Sequence, residues 1–156
     1  MDFPINIPFA RHLGFQLLHM QDGRAELAFT PAEQHCNSFH MAHGGAVMTL
    51  LDIGMSLAAR SLQEPERIQT TGAVTVEMKT SFMRPGEGPL RCEAQVMHRT
   101  ATLAFCEARV SMGNGALVAH GTGTFKFVRA VTGQGRQIKP LRQSGLDGAQ
   151  GEQQDG

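Results

Sequence analysis

Apolar and polar residues follow two distinct rhythms along this chain. After Gly44, Val47, Leu50, Leu51, Met55 and Ala58 recur at intervals of three and four. That period matches one face of an α-helix and predicts a long, mostly buried one. The polar run Gln63-Glu64-Pro65-Glu66 supplies its stop. Elsewhere the period is two, the signature of strands with one face covered. Residues 15–20 and 24–30 form one such pair around Asp22-Gly23, a tight-hairpin dipeptide. Residues 72–83 alternate, with Val74, Val76, Met78 and Phe82 on one face and Thr75, Glu77 and Lys79 on the other. Residues 90–98, 103–112 and 117–128 follow, the last two joined at Asn114-Gly115. In the last segment Leu117, Ala119, Gly121, Gly123, Phe125 and Phe127 share a face, and its small residues would let a helix lie close. A short helix over residues 5–13 is limited at its start by Ile7-Pro8. The predicted class is α+β: an antiparallel sheet with one long helix packed on one face.

Composition narrows this picture. With 156 residues, 41% of them hydrophobic, the chain suits one compact domain over residues 1–130. Residues 131–156 are rich in Gly and Gln and lack apolar periodicity, so a flexible tail is expected there. A formal net charge of zero gives no reason to expect nucleic acid or an acidic surface as partner. Cys36, Cys92 and Cys106 are odd in number and irregular in spacing, which favours reduced thiols over a disulfide framework. The start Met-Asp-Phe-Pro-Ile-Asn has neither the basic nor the apolar region of a secretory signal. The apolar run 46–59 contains Thr49, Asp52 and Ser56 and is too short to span a bilayer. A cytoplasmic protein without membrane association is expected.

The chemistry concentrates where loop meets long helix, at Asn37-Ser38-Phe39-His40-Met41-Ala42-His43-Gly44-Gly45. The first backbone N–H groups of a helix have no partner within it, and the helix dipole makes that end electropositive. Glycines at the mouth let a ligand oxygen approach closely. Such an end can hold a carbonyl oxygen that is becoming an oxyanion. Asn37 adds an amide side chain, and Asp52, among Leu50, Leu51 and Ile53, adds a carboxylate expected to be desolvated. A desolvated carboxylate is a strong base, so the set suits acyl transfer or hydrolysis. Cys36, His40 and His43 offer three ligand types but no fourth partner at matching spacing, so no metal is expected.

Eight residues separate Gly44 from Asp52, roughly 12 Å along a helix at about 1.5 Å per residue. A reacting carbon must lie about 3 Å from both nucleophile and oxyanion donor. One helix cannot easily serve one substrate with both. Two antiparallel helices across a twofold axis can, which predicts two composite sites in a homodimer.

Asn37, then His43-Gly44-Gly45, then Asp52 resemble the signature of hotdog-fold acyl-CoA thioesterases of the PaaI-like group. The turn Met83-Arg84-Pro85-Gly86 and the closing strand Gly121-Thr122-Gly123-Thr124-Phe125 are similar to that family too, and the likeness spans roughly residues 10 to 128. The resemblance implies a sheet wrapped around the helix and hydrolysis of an aromatic or medium-chain acyl-CoA. Coenzyme A would belong to the substrate, with no separate cofactor. It implies Asp52 as general base or as nucleophile, with the Gly44 N–H and Asn37 polarising the carbonyl from the other subunit. His43 would orient the loop or touch the thioester, and Thr75 matches a hydroxyl that helps place the attacking water. Gly45, Phe39, Met48 and Phe82 are candidates for the acyl pocket, and Arg84 and Arg99 for the phosphates of coenzyme A. The expected assembly is a homodimer or a dimer of dimers. A non-catalytic acyl-CoA-sensing module of the same fold is the alternative; dehydratase motifs such as His-Phe-Pro-Gly are missing from the sequence.

Overall fold

A computed structural model describes residues 3–68 and 70–129. The expected tail, 131–156, lies outside the described residues. A short helix, α1 (Pro8–His12), precedes a hairpin of β1 (Gln16–Gln21) and β2 (Arg24–Phe29). Asp22 and Gly23 turn that hairpin with φ of 51° and 77°. Both central residues are left-handed, as a two-residue turn matching the twist of paired strands requires.

The chain then loops into α2 (Gly44–Arg60). Four strands follow: β3 (Thr71–Phe82), β4 (Leu90–Arg99), β5 (Leu103–Met112) and β6 (Leu117–Arg129). The six strands form one antiparallel sheet in the order β1-β2-β4-β5-β6-β3, leaving β3 at an edge. Leu50, Leu51, Met55 and Leu57 of α2 are fully buried against the sheet. Each such side chain contributes about 1.5–3 kcal/mol relative to exposure. This is the sheet-and-helix layer that the periodicities predict.

Helix and sheet approach closely because glycines face each other's side chains. A Cβ on Gly54 would stand 2.9 Å from Cys92 Sγ, and one on Gly123 would stand 3.3 Å from Met55 Cε. No helix among the described residues is long and apolar enough to cross a membrane.

One expectation is corrected. Plain alternation puts Val74, Val76, Met78 and Phe82 on one face of β3 with Thr75 opposite. In the structure the β3–β6 register runs Thr75↔Phe125, Glu77↔Thr124, Met78↔Gly123, so Val76 is an extra residue in a bulge. Ahead of it Thr75 faces α2; beyond it Met78 and Phe82 do. Val74 and Val76 are left 47% and 58% exposed.

Candidate active site

The loop before α2 is built around Asn37. Its Oδ1 accepts the N–H groups of Phe39 at 2.9 Å and Met41 at 3.2 Å. Its own backbone N–H donates to the Met41 carbonyl at 2.8 Å. An Asn tolerates this tight turn because its side chain mimics backbone. With Oδ1 engaged twice, the side-chain NH₂ remains as a donor.

His43 is the N-cap of α2. Its backbone N–H donates to the His35 carbonyl at 2.8 Å, which ties the helix start to the buried His35. Its Nδ1 accepts the Gly45 N–H at 2.9 Å, so the neutral ring carries its proton on Nε2. This hydrogen bond holds the ring against the helix start. The Ala46 and Val47 N–H groups donate to the His43 carbonyl. Gly44 alone of the first four residues keeps an N–H without an acceptor among the described residues. The capping pattern therefore leaves one electropositive donor for a ligand.

Gly44 and Asn37 line one cavity of about 450 Å³ with Phe39, Met41, Phe82 and Arg84. The Phe82 ring closes over the helix start, 3.4 Å from where a Gly44 Cβ would stand. Phe39 is 77% exposed at its rim. Arg84 is steadied by donating Nη1 to the Leu117 carbonyl at 3.1 Å, with other guanidinium N–H groups to spare.

Asp52 stands elsewhere, two turns along α2. It is half-buried rather than sealed in the core, because it lies on the face of α2 that also carries Gly45, Met48, Thr49 and Ser56. Leu50, Leu51 and Ile53 turn inward instead. Thr75 donates its hydroxyl to Asp52 Oδ1 at 2.6 Å, leaving Oδ2 for other work. The bulge at Val76 makes this contact available. Asp52 and Thr75 line a larger cavity of about 680 Å³, walled by Ile5, Ile7, Met48, Ile53, Ala73 and Met78 among others. Gly45 borders it as well, though its N–H is taken by His43.

The candidates thus fall into two groups along one helix. Donors gather at the N-terminal end, and the carboxylate with its hydroxyl partner lies farther on. Arg99 joins neither group: at the end of β4 it donates to the Leu62 carbonyl at 3.1 Å and lies over the Phe127 ring at 5.5 Å.

Four contributors are not evident from sequence. Ile5 and Ile7 wall the Asp52 cavity from the N-terminal segment, and only an apolar pair around Asn6 hints at it. His35 carries no motif; it is recognisable only through its contacts, a 5.3 Å ring contact with Phe29 and the carbonyl that anchors His43. Arg60, at the last position of α2, also lines the cavity and is 91% buried, although arginine at a helix end ordinarily reads as surface.

Comparison with known proteins gives this arrangement a context. Residues 39–119 match the thioesterase superfamily. The acyl-coenzyme A thioesterase PaaI of Escherichia coli is 30% identical over 92 residues, covering 58% of this chain and 61% of PaaI. The solved E. coli PaaI structure superposes with a TM-score of 0.71 at 26% identity, over 79% of this chain and 86% of that one. A conserved protein of Pseudomonas aeruginosa gives a TM-score of 0.73 at 31% identity, covering 80% and 97% of the two chains. A thioesterase family protein of Silicibacter pomeroyi gives 0.72 at 27% identity, covering 80% and 91%. With more than half of the chain matching the family and its fold superposing on solved members, the chain belongs to the thioesterase superfamily as a PaaI-like hotdog protein, a thioester hydrolase.

Proposed function

We propose that this protein hydrolyses an aromatic or medium-chain acyl-CoA to the free acid and coenzyme A, in sites shared between two copies of the chain. The separation of groups along α2 carries the reading: the Gly44 N–H and Asn37 NH₂ open on one cavity, Asp52 with Thr75 on another. In a twofold dimer with antiparallel helices, the donors of one copy meet the acid of the other. Support for a second copy comes from β3, a strand of 12 residues with one edge unpaired among the described residues. The apolar exposure of Met48, Val74 and Val76 beside it points the same way.

In this site the thioester oxygen rests on the Gly44 N–H and Asn37 NH₂ of one copy. Thr75 of the other copy fixes Asp52, whose free Oδ2 faces the carbonyl carbon. As general base, Asp52 takes a proton from water as its oxygen adds to the carbonyl. The tetrahedral intermediate then expels the thiolate of coenzyme A, which receives the proton. As nucleophile, Asp52 instead forms an anhydride with loss of the thiolate, and water then cleaves the anhydride. In a single turnover in oxygen-18 water, label in the Asp52 carboxylate marks nucleophilic attack followed by addition of water at the aspartyl carbon of the anhydride. The apolar walls of the Asp52 cavity suit the acyl group, and Arg84, at the donor cavity, suits a phosphate of coenzyme A. No cofactor is needed for this sequence of steps.

The decisive assay is release of free thiol from a panel of acyl-CoAs, with wild type and Asp52→Asn side by side. Turnover by wild type and its loss in the variant are expected. Binding without turnover across the panel would point to the sensing module instead.

A further inference from the structure

The Asp52 cavity holds a second charge that hydrolysis does not use. Asp52, Ser56 and Arg60 follow one another at intervals of four, one row along α2. All three line the cavity. Arg60 is 9% exposed. Its Nη2 donates to the Ile68 carbonyl, and its Nη1 lies 3.8 Å from the position of a Cβ on Gly72, at the start of β3. Its Nε is buried and has no acceptor among the described residues. The ion pairs among the described residues are Arg91–Glu26, Arg109–Glu93 and His120–Glu107, and none includes Arg60.

A guanidinium cannot shed its proton to escape burial, so it stays charged. Buried charges are ordinarily met by an opposite charge and a full set of hydrogen bonds. Among the described residues, one carbonyl is a thin complement for five N–H donors. The missing acceptor is most simply brought by the molecule that fills the cavity. Guanidinium groups match carboxylates in shape, with two parallel N–H donors facing two oxygens.

The distance suits an acyl group. Eight residues of helix put Asp52 and Arg60 about 12 Å apart along the axis. The three residues of β3 from Gly72 to Thr75 span about 10 Å. An extended chain covers 3.8 Å in three bonds; with about 3 Å taken at each end by the attack and hydrogen-bond distances, roughly 6 Å or about five bonds remain for the acyl chain. Between the two charges stand the apolar Ile53, Ala73 and Met78, and Ser56, whose hydroxyl donates to the Ala73 carbonyl at 3.3 Å.

We propose that Arg60 selects acyl groups whose far end carries a carboxylate, making the preferred substrate the coenzyme A half-thioester of a dicarboxylic acid. This rests on the reading of the Asp52 cavity as the acyl pocket and narrows it. Arg60 acts as a specificity residue, distant from the bond that breaks.

Two probes of equal chain length test this: adipoyl-CoA, ending in a carboxylate, and hexanoyl-CoA, ending in a methyl group. Wild type is expected to favour adipoyl-CoA by about tenfold or more in kcat/KM, the scale of a hydrogen-bonded charge pair. Arg60→Gln should lower kcat/KM for adipoyl-CoA, through KM, by about tenfold more than for hexanoyl-CoA, so that the preference is lost; Arg60→Lys should retain part of it. Adipate itself should raise the melting temperature of wild type more than hexanoate does, and the difference should vanish in Arg60→Gln. If adipate discriminates in this way while neither thioester is cleaved, the carboxylate site stands and the hydrolytic reading fails. If wild type cleaves hexanoyl-CoA as well as adipoyl-CoA, or if Arg60→Gln lowers both equally, Arg60 only braces the Ile68 loop and the proposal is overturned. The wild-type comparison alone can overturn it should Arg60→Gln fail to fold.

Discussion

Two inactive variants should rescue each other if the sites are shared. Asp52→Asn removes the base or nucleophile while keeping the side chain's size, so the Thr75 hydroxyl still finds an acceptor. Asn37→Ala would be a poor companion, because Asn37 Oδ1 holds the Phe39 and Met41 N–H groups and the loop would loosen. Asn37→Asp keeps both acceptor contacts and replaces only the NH₂ donor, placing a negative oxygen where the oxyanion would form. Losing one such donor costs about 10²–10³ in kcat, and losing a general base costs about 10² or more. Each homodimer should therefore be nearly silent. After random exchange of equal amounts, about half the dimers are mixed, a consequence of twofold pairing. Each mixed dimer holds one site with both lesions and one with neither. The mixture should recover about a quarter of wild-type specific activity. The assay is thiol release before and after exchange, with two affinity tags to count mixed dimers. A mixture that stays silent despite counted mixed dimers would falsify the cross-chain site. The roughly 12 Å between Gly44 and Asp52 would then have to be closed within one chain.

Other parts of the structure make separate commitments. Thr75→Val should lower kcat about tenfold with little change in KM, since the hydroxyl orients Asp52 rather than binding substrate; an unchanged kcat in steady-state assays would assign Thr75 to packing. Gly54→Ala sets about 1 kcal/mol of helix propensity against the 2.9 Å approach of Cys92 Sγ, and overpacking of about 1–3 kcal/mol should win. Thermal denaturation should show a lower midpoint, largely restored when Cys92→Ala is added; a raised midpoint in the single variant would mean the layers sit farther apart. Burial pushes the Cys106 thiol up to about 12, and pushes the Cys92 thiol up as well with help from neighbouring Glu93. Both should stay protonated and unreactive at neutral pH. Native protein should expose one thiol per chain, Cys36, to an aromatic disulfide reagent, and three when unfolded; three in the native state would contradict the packing of β4 and β5.

Much of this molecule is legible in its sequence because period and burial are directly linked. Leu90, Cys92 and Ala94 alternate and are buried; Leu50, Leu51 and Met55 fall on one helical face and are buried. Asp22-Gly23 reads as a hairpin because few other pairs accept two left-handed residues. The features that resist reading are those decided by distant partners. Val74, Val76 and Met78 look like one continuous face, and nothing in their chemistry announces that Val76 is the bulged residue; the register against β6 decides it. Asp52 reads as buried from its neighbours, yet a helix turns by about 100° per residue and carries it to the rim. The burial of Arg60 depends on the chain around Ile68 and on Gly72, neither of which is near it in a local pattern. Likewise the His-Gly-Gly triplet marks a helix start without saying that His43 consumes one of the amides it presents.

The bulge in β3 imposes a rule of parity on any relative of this chain. Thr75, which touches Asp52, and Phe82, which covers Gly44, are seven positions apart and yet face the same side of the sheet. In a regular strand an odd separation puts two residues on opposite sides. Removing Val76 alone would make the strand regular and leave the two an even number of positions apart, still on the helix side. Removing one residue while the bulge persists would turn either the hydroxyl or the ring away. A one-residue change of length between Thr75 and Phe82 should therefore be tolerated only together with the loss or gain of a bulge, so the spacing within this one strand records whether bulge and site have changed together.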